Sequence, residues 1–247
     1  ICYSPVNYKL KINFNQMNSE KFIFFALALI TIFPLLHVIG ESNKTSLPEV
    51  KKITDGVYKF GGAIINQKLK FIEFNATSNQ RNGLIEYALV HESGKVHESL
   101  FRTKLRPQTL HTCLLLLKHP TEKRFFKNLW SENPEILDFS KCVLETEVFW
   151  EVNGTKYKKS LEDLTLNSQD KISLNNGAFI FTGSKLIDGT YLAEISGSII
   201  AVYADEEAVI NSMAHDSNND DVWVANLKDM PELEVLVTIR LHLPRNP

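Results

Sequence analysis

The chain has 247 residues, of which 44% are hydrophobic and 23% charged, a balance that suits a folded globular protein and excludes a wholly disordered or wholly membrane-embedded one. Its 27 Lys and Arg against 29 Asp and Glu leave a formal net charge of -2 with no long run of one sign. No basic face of the kind that binds nucleic acid is expected from that distribution.

In chain order, "FIFFALALITIFPLLHVIG", Phe22 to Gly40, is an almost uninterrupted apolar run preceded by Lys21 and Met17. Read from Met17, "MNSEK" is a short n-region and the apolar run an h-region, so residues 17–40 are expected to be an export signal and residues 1–16 upstream translation. The alternative is an uncleaved anchor, since the run is long enough for a bilayer core of about 30 Å. Either way the remainder is expected outside the cytoplasmic membrane, periplasmic or extracellular, touching the membrane only through residues 22–40. Residues 41–55 begin with "ESNKTSLPEVKK", polar and aperiodic, and read as a linker.

From residue 56 the pattern turns to strands. "GVYKFGGAIINQKLKFIEFNA" alternates, "VLETEVFWEV" and "TKYKKS" flank Asn153-Gly154, the strongest hairpin signal in the chain, and "AFIFTGS", "TYLAEIS" and "SIIAVYA" follow with glycine breaks. "LEVLVTIRLHL" ends the series. Helices are few. In "RPQTLHTCLLLLKHP" Pro107 suits a first helical position, and Leu110, Cys113, Leu114 and Leu117 follow helical spacing, so a central apolar helix is expected over about 107–118. "TEKRFFKNLW" and "DEEAVINSM", the latter with Asp205 as N-cap, are candidate short helices. Hairpins around one helix indicate an α+β domain, 56–247, with a mainly antiparallel sheet.

Cys113 and Cys142 both lie in apolar contexts. Export would permit a disulfide between them, but nothing in the sequence requires one, and the contexts favour reduced cysteines packed as small hydrophobes.

The blocks "GLIEYALVHESGKVHESLFRT", "LHTCLLLL", "TGSKLIDGTYLAEISGSIIAVYAD" and "DDVWVANLKDMPELEVLVTIRL", in this order, resemble the YdjY domain, a family of exported bacterial proteins of unestablished biochemical function. The resemblance covers roughly residues 56–243. It implies export and a domain boundary, and it brings no catalytic residues. The stretch "KHPTEKRFFKNLWSENPEILDFSK" departs from it by being longer and more charged.

Candidate chemistry centres on Gly83 to Phe101. With Ser93-Gly94 as a hairpin turn, His91 opposes Val96, Leu89 opposes Glu98 and Tyr87 opposes Leu100. That register sets Glu98 among hydrophobes with Tyr87 and His91 as diagonal neighbours, where an unpaired carboxylate would cost several kcal/mol. Glu98 is therefore expected to be paired. It either fixes the register structurally or acts as an acid/base or metal-binding group with His91, His97 or His111. If Gly94 is a bulge, His97 and Glu98 exchange faces. His91, His97, His111 and Glu98 are suitable ligand types for a divalent metal, but no diagnostic spacing supports one, and no cofactor is predicted. Asp216, Asn218 and Asp220 alternate as calcium ligands do, without the glycine and glutamate of an EF-hand. Trp150, Trp223 and Tyr203 suit a ligand platform or, by the usual burial tendency, the core. Asn43, Asn75 and Asn153 sit in glycosylation sequons, which matter only on a eukaryotic secretory route.

No nucleophile elbow or phosphate-binding glycine loop is present. Two functional classes therefore stand. One is an exported envelope domain that binds a small ligand or a protein partner, with Tyr87 and His91 among its contacts. The other is an exported hydrolase or metal-dependent enzyme built on Glu98, His97 and His111.

Overall fold

A computed structural model describes residues 48–244. The expected signal or anchor and the upstream segment lie outside these residues, as does the first half of the linker. Among the described residues no helix is long and apolar enough to cross a membrane.

Strands β1 (Val50–Thr54), β2 (Val57–Phe60), β3 (Ala63–Asn66) and β4 (Phe71–Ser78) form an antiparallel meander. The sheet thus starts inside the stretch read as a linker. It continues through β5 (Tyr87–His91), β6 (Ser99–Thr103), β7 (Val143–Val152), β8 (Thr155–Lys159), β10 (Phe179–Phe181), β13 (Ser198–Ala201), β14 (Ile210–Ser212) and β16 (Leu236–His242). The short β9 (Thr165–Asn167) pairs with β15 (Trp223–Ala225), and β11 (Leu186–Ile187) with β12 (Thr190–Tyr191). The order β4-β16-β7-β10-β14-β13-β5-β6 closes on itself, because β6 also pairs with β4.

The expected α+β, β-rich character is present, but the sheet is a closed eight-stranded mixed barrel rather than a simple antiparallel sheet. The β13–β14 and β5–β6 pairs are parallel. Closure removes the edges of those eight strands. Among the described residues two edges of that sheet remain outside the barrel, β1 and β8, and both carry lysines (Lys51 and Lys52, Lys156, Lys158 and Lys159) that discourage edge-to-edge pairing.

Alternation explains the half of the barrel that faces water. In β4, Ile72, Phe74 and Ala76 point inward, matched by Val237, Ile239 and Leu241 of β16 and by Leu144 and Val148 of β7. Outside, Arg240 lies between the rings of Phe71 and Phe149 at 4.6 and 4.9 Å and binds Glu73. The other half is buried on both faces. Every residue of β10, β13 and β14 is buried, because a second apolar layer covers the outside. Over β10 that layer is Phe125, Phe126, Leu129 and Phe139 around Ile180.

Helix α1 (Pro107–Leu116) forms where the apolar spacing places it, with Pro107 in its first turn, and Leu110, Cys113 and Leu114 enter the main core. The second expected helix is α2 (Phe125–Leu129). The third is not formed: residues 205–209 make a turn, in which the Asp205 carboxylate accepts the Glu207 N–H at 2.8 Å, and the chain then enters β14. Two other short helices occur instead. The first, α3 (Leu161–Leu164), starts at a Ser160/Asp163 capping box. The second, α4 (Leu192–Ser196), takes over most of a segment read as strand and ends at Gly197. Cys113 and Cys142 are free thiols buried in separate apolar clusters. Burial raises both, the Cys142 thiol to about 11.

The Gly83–Phe101 hairpin is the main correction. The strands β5 and β6 run parallel, with Tyr87 beside Ser99, Leu89 beside Phe101 and His91 beside Thr103. Residues 92–98 are a return loop ending in a 3-10 turn, Val96–Glu98, so neither the assumed turn nor its alternative bulge exists. Gly94 lies against the end of α4, and a Cβ there would meet the Ser196 carbonyl oxygen at 2.8 Å.

An exposed hairpin tip would tolerate alanine at that position; this contact does not. The substitution Gly94→Ala is expected to cost about 1–3 kcal/mol of overpacking, lowering the melting midpoint by roughly 2–10 °C. Differential scanning calorimetry of the variant checks it, and an unchanged midpoint would contradict the packed loop.

Candidate functional site

A cleft of about 740 Å³ opens beside β10. Its floor comes from α1 and the turn after β10, and one wall from residues 121–130. The α1 stripe that buries Leu110 and Leu114 turns His111 and Leu115 toward the cleft. Gly183 lets the opposite side approach: its φ is +88°, and a Cβ there would sit 2.8 Å from the Thr121 methyl group. The Asp188-Gly189 turn, with positive φ at both residues, then folds β12 back so that Tyr191 returns to the floor.

At the floor the His111 Nδ1 and the Tyr191 hydroxyl are 2.6 Å apart. Burial pushes the His111 imidazole down to about 4, against a hydrogen bond to the Gly183 backbone that favours protonation. A neutral imidazole carries one N–H and one bare nitrogen, so Nδ1 and the Tyr191 hydroxyl share a hydrogen bond whose direction follows the tautomer. The Tyr191 phenol is held well above its usual range by burial and by the Glu194 charge, so it stays an O–H. Phe181 supports the pair from beneath. The His111 ring meets it edge-on at 5.1 Å, and His119 stacks on it at 5.9 Å. His119 is itself buried, bonded to the Cys142 carbonyl at 3.0 Å, and pushed down to about 4. The carboxylate of Glu194 accepts the Gln108 N–H at 3.0 Å in the first turn of α1 and also binds Arg106, which anchors α4 to the start of α1.

The floor is therefore a neutral hydrogen-bonding surface at neutral pH. An imidazole at about 4 is a weak base there, far from the matching that general-base catalysis favours.

Of the residues predicted from sequence, His111 alone lines this cleft. Glu98, His97, His91 and Tyr87 gather around the 92–98 loop. Glu98 is not a buried carboxylate. Its side chain is 23% exposed, 3.8 Å from the Lys95 ammonium and 3.7 Å from His97, whose own side chain is 78% exposed. His91 bonds the Ser93 hydroxyl at 2.7 Å. Tyr87 is buried; its hydroxyl donates to Asp205 at 2.9 Å and accepts from Lys95 at 2.8 Å, and the ammonium also sits over its ring. Lys95 is thus the hub, and the Glu98 charge helps burial raise the neighbouring Glu86 carboxyl. Among the described residues no group of three or more His, Cys, Asp or Glu is placed to hold a metal. The carboxylate of Asp216 takes His215 at 2.9 Å and Asn167 at 3.0 Å, while Asn218 and Asp220 are exposed. Trp150 and Trp223 are core residues, Trp150 stacked on Tyr157 and Trp223 donating its indole N–H to the Asp216 carbonyl at 3.0 Å.

No family model, curated protein or solved structure matches this chain.

Tyr191, Gly183, Lys123, Lys127 and Trp130 were missed in the sequence. The last three lie in the charged stretch 118–141, where an exposed tryptophan among lysines was the available signal.

Two outcomes follow from this geometry. Glu98→Gln should change stability by no more than about 1 kcal/mol, as for other solvent-accessible ion pairs, since its partly exposed carboxylate keeps contact with water, and thermal melts of that variant test it. His111 and His119 act differently with pH. Between about 6.5 and 4 the unfolded chain protonates these histidines and the folded chain does not, so their contribution is complete above 6.5 and is lost as pH falls toward 4. Glu162, buried and bonded to Thr146 and Gly177, has a raised carboxyl and works with the opposite sign. The check is therefore the slope of urea stability against pH, which should be shallower in His119→Gln than in the unaltered protein.

Proposed function

We propose that the protein is an exported domain that binds a small ligand in the cleft over His111 and Tyr191. The observation that carries this reading is the cleft itself. Its size falls in the range of small-molecule sites, roughly 300–1,000 Å³, and it joins apolar side chains to a few oriented polar groups. The depressed imidazole favours binding over acid/base chemistry, and none of Glu98, His97, His91 and Tyr87 reaches the cleft. Export rests on the apolar run at 22–40 and on the resemblance to the YdjY domain. The segment in which this chain departs from that family's pattern also supplies the wall with Trp130.

The test is amide chemical-shift mapping of the ¹⁵N-labelled protein against a fragment set of aromatic acids, amides and amines. Binders are expected to move the signals of residues 121–127 and 183–186, and His111→Phe or Tyr191→Phe should weaken the tightest of them by about tenfold, the worth of one oriented hydrogen bond of roughly 1.4 kcal/mol. Binders that move only signals around residues 86–98 would relocate the site, and a set without binders would remove the reading.

A further inference from the structure

The wall of the cleft carries two parallel stripes. Residues 123–130 run as a turn, the short helix α2 and a closing turn, with Asn128 N–H bonded to the Arg124 carbonyl and Trp130 N–H to that of Phe126. Four-residue spacing on such a segment places side chains one above the other. Lys123 and Lys127 form one row, Phe126 and Trp130 the other, and all four line the cleft. Trp130 is 54% exposed, a large apolar surface left open at the mouth.

The charges do not cancel. Among the described residues the cleft holds two carboxylates, and each already has a cation: Glu122 is bound by Arg124 at 3.1 Å, and Glu206 pairs with Lys185. Lys123 and Lys127 form no ion pair among the described residues. The Lys123 charge reaches the floor, where it adds to the forces that keep His111 unprotonated. Two ammonium groups face a cleft whose floor is neutral and whose other row is aromatic. A cation there would be repelled, and a neutral ligand would leave the lysines unused.

We propose that the ligand is a small organic anion on a planar apolar body, of the aryl carboxylate class, its ring against Phe126 and Trp130 and its charge between Lys123 and Lys127. This rests on the ligand-binding reading above and assigns the chemistry of the same cleft.

The experiment compares 2-naphthoate, 2-naphthamide and 2-naphthylmethylamine, three probes of one shape and different charge, by calorimetry and tryptophan fluorescence on the full chain. Naphthoate should bind at least about tenfold more tightly than the amide, equivalent to roughly 1.4 kcal/mol, with an affinity that falls as salt is raised. The amine should bind most weakly. In the double variant Lys123→Gln/Lys127→Gln the margin between acid and amide should vanish while amide binding persists. Trp130→Leu should abolish the fluorescence response. Amide or amine binding as tight as the acid, or a margin that survives the double variant, overturns the charge assignment and leaves the binding cleft standing. Absence of binding by all three overturns both.

Discussion

Thr77 beside Arg102 and Ser78 beside Phe101 are the two residue pairs through which β6 meets β4, and they turn an open sheet into a barrel. Side chains around the seam reinforce it. Arg102 bonds the Asn79 side chain at 3.0 Å and pairs with Glu234, while the Asn79 amide reaches the Ser99 carbonyl at 2.9 Å. In the closed barrel β6 runs antiparallel to β4 and parallel to β5, so the chain after β5 does not turn back as a hairpin. It must retrace the length of the strand through residues 92–98 and enter β6 in the same direction. The packing of Gly94 on α4 and the Tyr87–Lys95–Asp205 network are what hold that return loop in place.

The same closure places the cleft. A barrel strand has one face inward, so an apolar residue on its outer face needs a cover. On β10 the inward residues Phe179 and Phe181 join the main core, while Ile180 faces out and is covered by Phe125, Leu129 and Phe139. The segment that performs this covering also stands off from α1 and the Gly183 turn, and the gap between them is the cleft. One segment thus serves stability through Phe125 and presents Lys123, Lys127 and Trp130 on its other side.

The burial of His111 and His119 has a cost and a use. Both lose their ordinary affinity for a proton, which makes the domain sensitive to acid. In exchange the floor keeps a fixed hydrogen-bond arrangement at neutral pH, with Phe181 packed between two uncharged rings. Catalytic tuning would shift such a group toward the working pH, whereas this packing shifts it away.

Local patterns determined much of this protein. Period-two alternation placed β4, β7 and β16, Asn153-Gly154 set the β7–β8 turn through its two positive φ angles, and the leucine spacing with Pro107 set α1. Those features depend on neighbours in the chain, so residue order suffices to reveal them. Strand direction does not leave such a trace, because alternation is the same for parallel and antiparallel partners. The register assumed around Ser93-Gly94 therefore gave Glu98 a buried place it does not have. Nor does residue order say that β16 enters between β4 and β7, or that Tyr191, eighty residues from His111, meets it at the cleft floor. Barrel closure decided those, since it fixes which distant strands must be neighbours and which outer faces must be covered.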